Sequence, residues 1–284
     1  MSKYFNETQK TEEWFAQEGL AKRQDVASIL EDLRNPHPQN GDSNASGSPQ
    51  DGLGDIAATV SSPVVLSGTR SGHYAMEAYR ALRTRLMRLQ ASKGLRSVVM
   101  SSAIPGEGKT VTTLNLGLCY AQLHEMPVLL IDADLRTKRL SQLLENPSAP
   151  GLAEVLSREA RYEDVIWRTQ SPNLHMLGAG SPVGSPPELF TGTSWSDLIV
   201  RCKERFKLIL VDAPPVRPLA DFELICAGCD AFVMVVRAFQ TQREDLQQIA
   251  AQIDSKKLVG IVLNNAHTYS KSGYYNQYGS QVQS

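Results

Sequence analysis

Six short, mostly apolar runs punctuate the chain: Val98–Met100, Val128–Ile131, Leu174–Leu177, Leu208–Val211, Ala231–Val236 and Leu258–Leu263. Runs of this length without polar alternation suit strands buried on both faces, as in a parallel sheet. Residues 75–90 carry helical spacing, as do Thr112–Leu123 and stretches within 150–206. Strands alternating with helices predict an α/β fold: a doubly wound, mostly parallel sheet flanked by helices.

The pattern fades at both ends. In residues 1–34 Trp14, Phe15, Leu20, Val26, Ile29, Leu30 and Leu33 recur on loosely helical spacing among charges. A solvated extension with a little packing is the plainer reading, and a short interaction helix pair the other. Residues 35–72 are rich in Pro, Gly, Ser, Asn and Asp, too polar to offset their ordering entropy, and are expected to form a flexible linker. The α/β domain is expected over 73–268. A polar, flexible tail follows over 269–284 and holds four of the nine tyrosines, Tyr269, Tyr274, Tyr275 and Tyr278.

Composition narrows the function classes. A chain of 284 residues can bury a full α/β core. Its net charge of −1 offers no broad basic field, so nucleic acid is not an expected partner. No apolar run approaches the roughly 20 residues of a membrane-spanning helix. The polar stretch Met1–Lys10 lacks the apolar core of a signal peptide. The expected location is the cytoplasm. Cys226-Ala227-Gly228-Cys229 stands without a second pair or histidines at ligand spacing, so buried structural thiols are expected rather than a zinc or redox centre.

Chemistry concentrates where strands end. The run Val98–Met100 leads into Ser101-Ser102-Ala103-Ile104-Pro105-Gly106-Glu107-Gly108-Lys109-Thr110, and a helical pattern follows. This is strand, phosphate loop, helix, with Ala103 where the full motif has glycine. Backbone N–H groups of such a loop point at phosphate oxygens. Lys109 is expected to reach the β- and γ-phosphates, and the Thr110 hydroxyl to bind Mg²⁺. The second strand ends in Asp132-Ala133-Asp134-Leu135-Arg136, a carboxylate pair suited to Mg²⁺ binding and proton abstraction. The alternative is a plain capping acid for the next helix. A further strand ends in Asp212-Ala213-Pro214-Pro215, the form of a Walker B strand. On the 75–90 helix Glu77, Arg80 and Arg83 share one face, suited to self-complementary subunit contacts, although such faces are ordinarily just solvated.

Together these motifs resemble the bacterial tyrosine kinases, specifically the cytoplasmic CpsD/CapB type of capsular and exopolysaccharide biosynthesis. The resemblance spans residues 75–278. Its Walker A falls on 102–110, its Walker A′ on 129–136, its Walker B on 209–215 and its Glu-x-x-Arg-x-x-Arg oligomerisation motif on Glu77, Arg80 and Arg83. The segments Pro172–Leu189 and Val236–Arg243 and the tyrosine-rich tail are also similar. Departures are Arg136-Thr137-Lys138-Arg139 after Walker A′ and Ala213 where the family has a hydroxyl.

The resemblance implies a P-loop tyrosine kinase domain that uses ATP and Mg²⁺. ATP would lie on Ala103, Ile104, Pro105, Gly106, Glu107, Gly108, Lys109, Thr110 and Val111, with Asn264 as an adenine contact. Thr110, Asp134 and Asp212 would hold Mg²⁺, and Asp132 would accept the phenol proton. Lys109, Asp132 and Asp134 are thus the expected catalytic residues. Tyr269, Tyr274, Tyr275 and Tyr278 would be the autophosphorylation sites within a ring-shaped homo-oligomer. Other protein tyrosines would be substrates, and a membrane polysaccharide co-polymerase would recruit and activate the enzyme. The competing reading is an ATPase switch of the ParA/MinD kind. That kind carries an extra lysine early in the loop, where this chain has Ser102, Ala103 and Ile104.

Overall fold

The computed structural model describes residues 70–144, 150–217, 219–242 and 245–265, apart from 247, 250–252 and 255. The N-terminal extension, nearly all of the linker and the four tail tyrosines lie outside the described residues. Helix α1 runs over Arg70–Lys93, so it takes in the last three residues of the stretch read as linker. Then come β1 (Ser97–Ser102), α2 (Lys109–Ala121), β2 (Val128–Asp132), α3 (Arg139–Leu143), α4 (Leu152–Leu156) and α5 (Tyr162–Val165). They are followed by β3 (Ile166–Arg168), β4 (Leu174–Leu177), α6 (Pro186–Leu189), α7 (Ser194–Arg205) and β5 (Leu208–Asp212). The last are α8 (Leu219–Ala227), β6 (Ala231–Arg237) and β7 (Leu258–Asn264).

The strands form a seven-stranded sheet in the order β3-β4-β2-β5-β1-β6-β7. All pairings are parallel except the edge pair β3·β4. Each apolar run noted in the sequence is one of the parallel strands. Alternation within a run explains why it has no polar face. Leu129 and Ile131 enter one core with Trp195, Phe206, Phe222 and Phe232. Val128 and Leu130 enter the other, with Leu114, Leu116 and Tyr120 of α2 and Leu86 of α1. Both faces of the central strands are therefore sealed, as parallel sheets require.

Helix α2 lies close on the sheet because Gly117 faces it: a Cβ there would stand 2.7 Å from Leu130 Cδ2. Outside α2 lies α1. The Arg83 guanidinium donates to the Cys119 carbonyl at 2.6 Å, near the C-terminal end of α2 where a cation suits the helix dipole. The four cysteines are free thiols and all are buried. No helix among the described residues is long and apolar enough to cross a membrane.

Candidate active site at the phosphate loop and the acidic strand ends

Parallel strands deliver their carboxyl ends to one edge of the sheet, where ligands bind in open α/β folds. Here β1 delivers the phosphate loop, and β5 and β2 deliver Asp212 and Asp132. These two residues are register partners in the parallel β2·β5 pair, side by side at the same height. Asp134 follows just beyond.

The loop 103–108 turns tightly into α2. Gly106 and Gly108 have φ of 87° and 92°, the left-handed region that a side chain resists. Gly108 also has no room for a side chain, since a Cβ would lie 2.1 Å from Asn264 Nδ2. The loop is braced from within by Glu107, which is fully buried. Its Oε2 accepts from the Ile104 N–H at 2.9 Å, and its Oε1 from the Arg237 N–H at 3.2 Å and from the Thr241 hydroxyl. Asn264 Nδ2 donates to the Glu107 carbonyl at 2.8 Å. The ends of β6 and β7 thereby hold the loop from its flank.

Behind the loop, Lys109 Nζ lies 2.9 Å from Asp134 Oδ2 and 3.4 Å from Asp212 Oδ1. The Thr110 hydroxyl donates to Asp212 Oδ2 at 2.7 Å. Burial alone would weaken the Lys109 charge, but the carboxylates of Asp212 and Asp134 outweigh it and raise its pKa. Asp134 shifts the other way: Lys109 and the Thr137 N–H overcome its burial and hold it below the usual carboxylate range. Burial pushes Asp132 and Asp212 upward, and the charge of Asp212 pushes Asp132 further. Asp132 is fixed through one oxygen. Its Oδ2 accepts from the Ser141 N–H at 2.8 Å and the Ser141 hydroxyl at 2.7 Å. Its Oδ1 is buried without a hydrogen-bond partner.

Three buried carboxylates thus face one ammonium, an excess of negative charge at the mouth of a loop built for anions. A hydroxyl and two carboxylates, from Thr110, Asp134 and Asp212, are hard oxygen donors of the kind Mg²⁺ takes together with phosphate oxygens and water. No cluster of three or more acidic, His or Cys side chains poised for a metal occurs among the described residues. Three protein donors leave positions in an octahedral shell for phosphate oxygens and water, which fits a cation that arrives with a phosphate ligand.

The fold brings together Lys109, Thr110, Asp132, Asp134 and Asp212, and sets Asn264 against the loop. Glu77 and Arg80 pair with each other on the exposed side of α1, while Arg83 is turned onto its own subunit. Sequence reasoning missed Ser141 as the anchor of Asp132 and the side-chain role of Glu107. It also missed the Arg136 guanidinium, which grips the buried Asp221 through Nε at 2.7 Å and a second nitrogen at 3.3 Å. Only Glu107 had a local signal, a carboxylate inside a phosphate-loop motif.

Residues 98–277 match the family model described as the CobQ/CobB/MinD/ParA nucleotide binding domain. The tyrosine-protein kinase YwqD of Bacillus subtilis is 30% identical over 209 residues, covering 72% of this chain and 86% of that one. The tyrosine-protein kinase CpsD of Streptococcus agalactiae is 29% identical over 222 residues, 77% of this chain and 96% of the relative. The crystal structure of the VpsO kinase domain superposes with a TM-score of 0.61 at 25% identity, covering 69% of this chain and 98% of that one. The chain belongs to the CobQ/CobB/MinD/ParA nucleotide-binding family and, within it, to the bacterial tyrosine-protein kinases.

Proposed function

We propose that the chain is an ATP-dependent tyrosine autokinase of capsule or exopolysaccharide production. It phosphorylates Tyr269, Tyr274, Tyr275 and Tyr278 of a neighbouring copy in a ring, and is recruited to the membrane by a co-polymerase partner. One observation carries the catalytic part of this reading: Lys109, Thr110, Asp132, Asp134 and Asp212 converge beside a phosphate loop. The names of the capsule-type relatives support the setting.

The chemistry follows from what these groups can do. Bound Mg²⁺, held by Thr110, Asp134 and Asp212, would neutralise charge on the phosphates. Lys109, freed from its carboxylates by the incoming anion, neutralises the β- and γ-phosphates. The phenol oxygen of the acceptor forms a bond to the γ-phosphorus as the bond to the β,γ-bridging oxygen breaks, and ADP carries away that oxygen's electron pair. Asp132 takes the phenol proton on Oδ1, the oxygen that Ser141 leaves open. Its raised pKa suits a base working near neutral pH.

Intact-mass measurement after incubation with ATP and Mg²⁺, with and without the cytosolic tail of the co-polymerase, tests the reading. Single-phosphate mass steps that map to the four tyrosines are expected. Lys109→Met and a chain ending at residue 268 should both lose them. ATP consumed with no mass gain would instead support an ATPase switch.

A further inference from the structure

A cleft of about 680 Å³ opens beyond the acidic strand ends. Leu135, Arg136 and Lys138 line one wall, and Pro182, Val183 and Pro186 the other. The volume is in the range of ligand-sized pockets, about 300–1,000 Å³.

The sheet order fixes what this position means. Across the carboxyl edge, Asn264 of β7 comes first, then the phosphate loop after β1, Asp212 of β5, Asp132 of β2 and finally the 178–187 segment after β4. In phosphoryl transfer the attacking and leaving oxygens lie roughly in line, on opposite sides of phosphorus. With the nucleoside on the Asn264 side, the acceptor must enter from the β2 and β4 side, where the cleft lies. The cleft is wired to the acids as well. The Ser141 hydroxyl that holds Asp132 also accepts from the Ala179 N–H at 2.9 Å, and the Thr137 N–H donates to Asp134 Oδ1 at 3.2 Å.

Resting on the kinase reading, we propose that this cleft receives the acceptor tyrosine and favours tyrosines with a negative charge beside them. Leu135, Val183 and the two prolines supply apolar surface for the phenol ring. Lys138 brings a positive charge to the rim. Its Nζ donates to a neutral group, the Gly180 carbonyl, at 2.7 Å. The Arg136 charge is matched by Asp221. The nearby Glu154 carboxylate accepts from the Gly151 N–H at 2.7 Å and the Ser181 N–H at 2.9 Å and stays an anion drawn to Lys138, a charge that Arg139 balances in the count of the rim. Arg139 stands exposed one residue further on.

The chain's own tail makes this preference consequential. Residues 269–284 contain no Asp or Glu, and Lys271 is their only charged side chain. No side chain of the unmodified tail is an anion, whereas a phosphotyrosine brings a charge of about −1.5 to −2. Tail phosphorylation is therefore self-priming: the first transfer is slow, and each phosphotyrosine speeds transfer to its neighbours.

Synthetic peptides spanning residues 269–279, unmodified or with phosphotyrosine at Tyr275, test this with the full-length chain, ATP and Mg²⁺. The kcat/KM for transfer to Tyr274 is expected to be about fivefold higher for the primed peptide. In Lys138→Met the ratio of the two values should fall to about one. A ratio within one variant does not depend on how much of that protein is folded. Equal kcat/KM for the two peptides in the unaltered chain, or an unchanged ratio in Lys138→Met, would overturn the proposal. Failure to phosphorylate either peptide or the chain itself would overturn the kinase reading, and this proposal with it.

Discussion

Glu107 takes part in no chemical step, yet its carboxylate accepts hydrogen bonds from the Ile104 and Arg237 N–H groups and the Thr241 hydroxyl, wholly out of water. Glu107→Ala would leave two part-buried backbone N–H groups without their acceptor. The expected loss is about 2–4 kcal/mol of stability, with a KM for ATP raised about tenfold because the loop no longer keeps its turn. Thermal unfolding and ATP titration measure the two effects separately. His175 makes a different point. It is buried in β4, edge-on to Phe206 at 5.2 Å between ring centroids, and burial pulls its pKa down to about 4. In the unfolded chain it protonates near 6.5. Between those values the unfolded state binds the extra proton, so stability falls as pH drops. From pH 7 to pH 5 this one side chain should cost about 2 kcal/mol. Urea unfolding at both pH values should give His175→Phe a correspondingly weaker pH dependence than the unaltered chain.

The candidate site was legible at this scale wherever its chemistry is written in consecutive residues. Lys109, Thr110, Asp132 and Asp212 each end a strand or open a helix beside an apolar run, Asp134 follows Asp132 by two residues, and the motif spacing marks them. Ser141 and Asp221 carry no such mark. Each matters only because folding sets it against a group distant in the chain, Ser141 against Asp132 and Asp221 against Arg136.

Among the elements, the parallel strands were visible because a strand buried on both faces has no polar positions to interrupt it. Strand β3 was not, since Ile166-Trp167-Arg168 is too short to show a period and pairs only along the sheet's edge. Helix α2 begins at Lys109, three residues before Thr112 where the helical spacing starts, because the phosphate loop turns straight into the helix. Elements are also stapled by single side chains. The Asp230 carboxylate at the start of β6 accepts from the Arg96 and Ser97 N–H groups before and at the start of β1, both at 2.9 Å, and from Lys203 Nζ of α7 at 2.6 Å. Asp230→Ala removes the common acceptor of three elements and should cost about 2 kcal/mol, read as a lower urea midpoint with an unchanged slope.

For the whole molecule, the proposed ring can draw on the exposed Glu77–Arg80 pair of α1, whereas Arg83 is engaged with α2 of its own subunit. Arg80→Glu is expected to shift sedimentation toward the monomer while changing stability by no more than about 0.5 kcal/mol. The same sheet order that aligns the acids also sets a tether. The described chain leaves the sheet at β7, and β2 lies four strand spacings away, about 19 Å. Tyr269 follows Asn264 by five residues, and five residues fully stretched cover about 17 Å. With the length of the side chain added, the straight-line surplus is only a few ångströms, too little for the detour around the phosphate loop that stands between. Tyr274, Tyr275 and Tyr278 have ten or more residues of leash. Tyr269 is accordingly the tyrosine that a chain cannot offer to its own Asp132. Its labelling should vanish on dilution below the concentration at which the proposed ring assembles, and any transfer that persists there should map to Tyr274, Tyr275 and Tyr278.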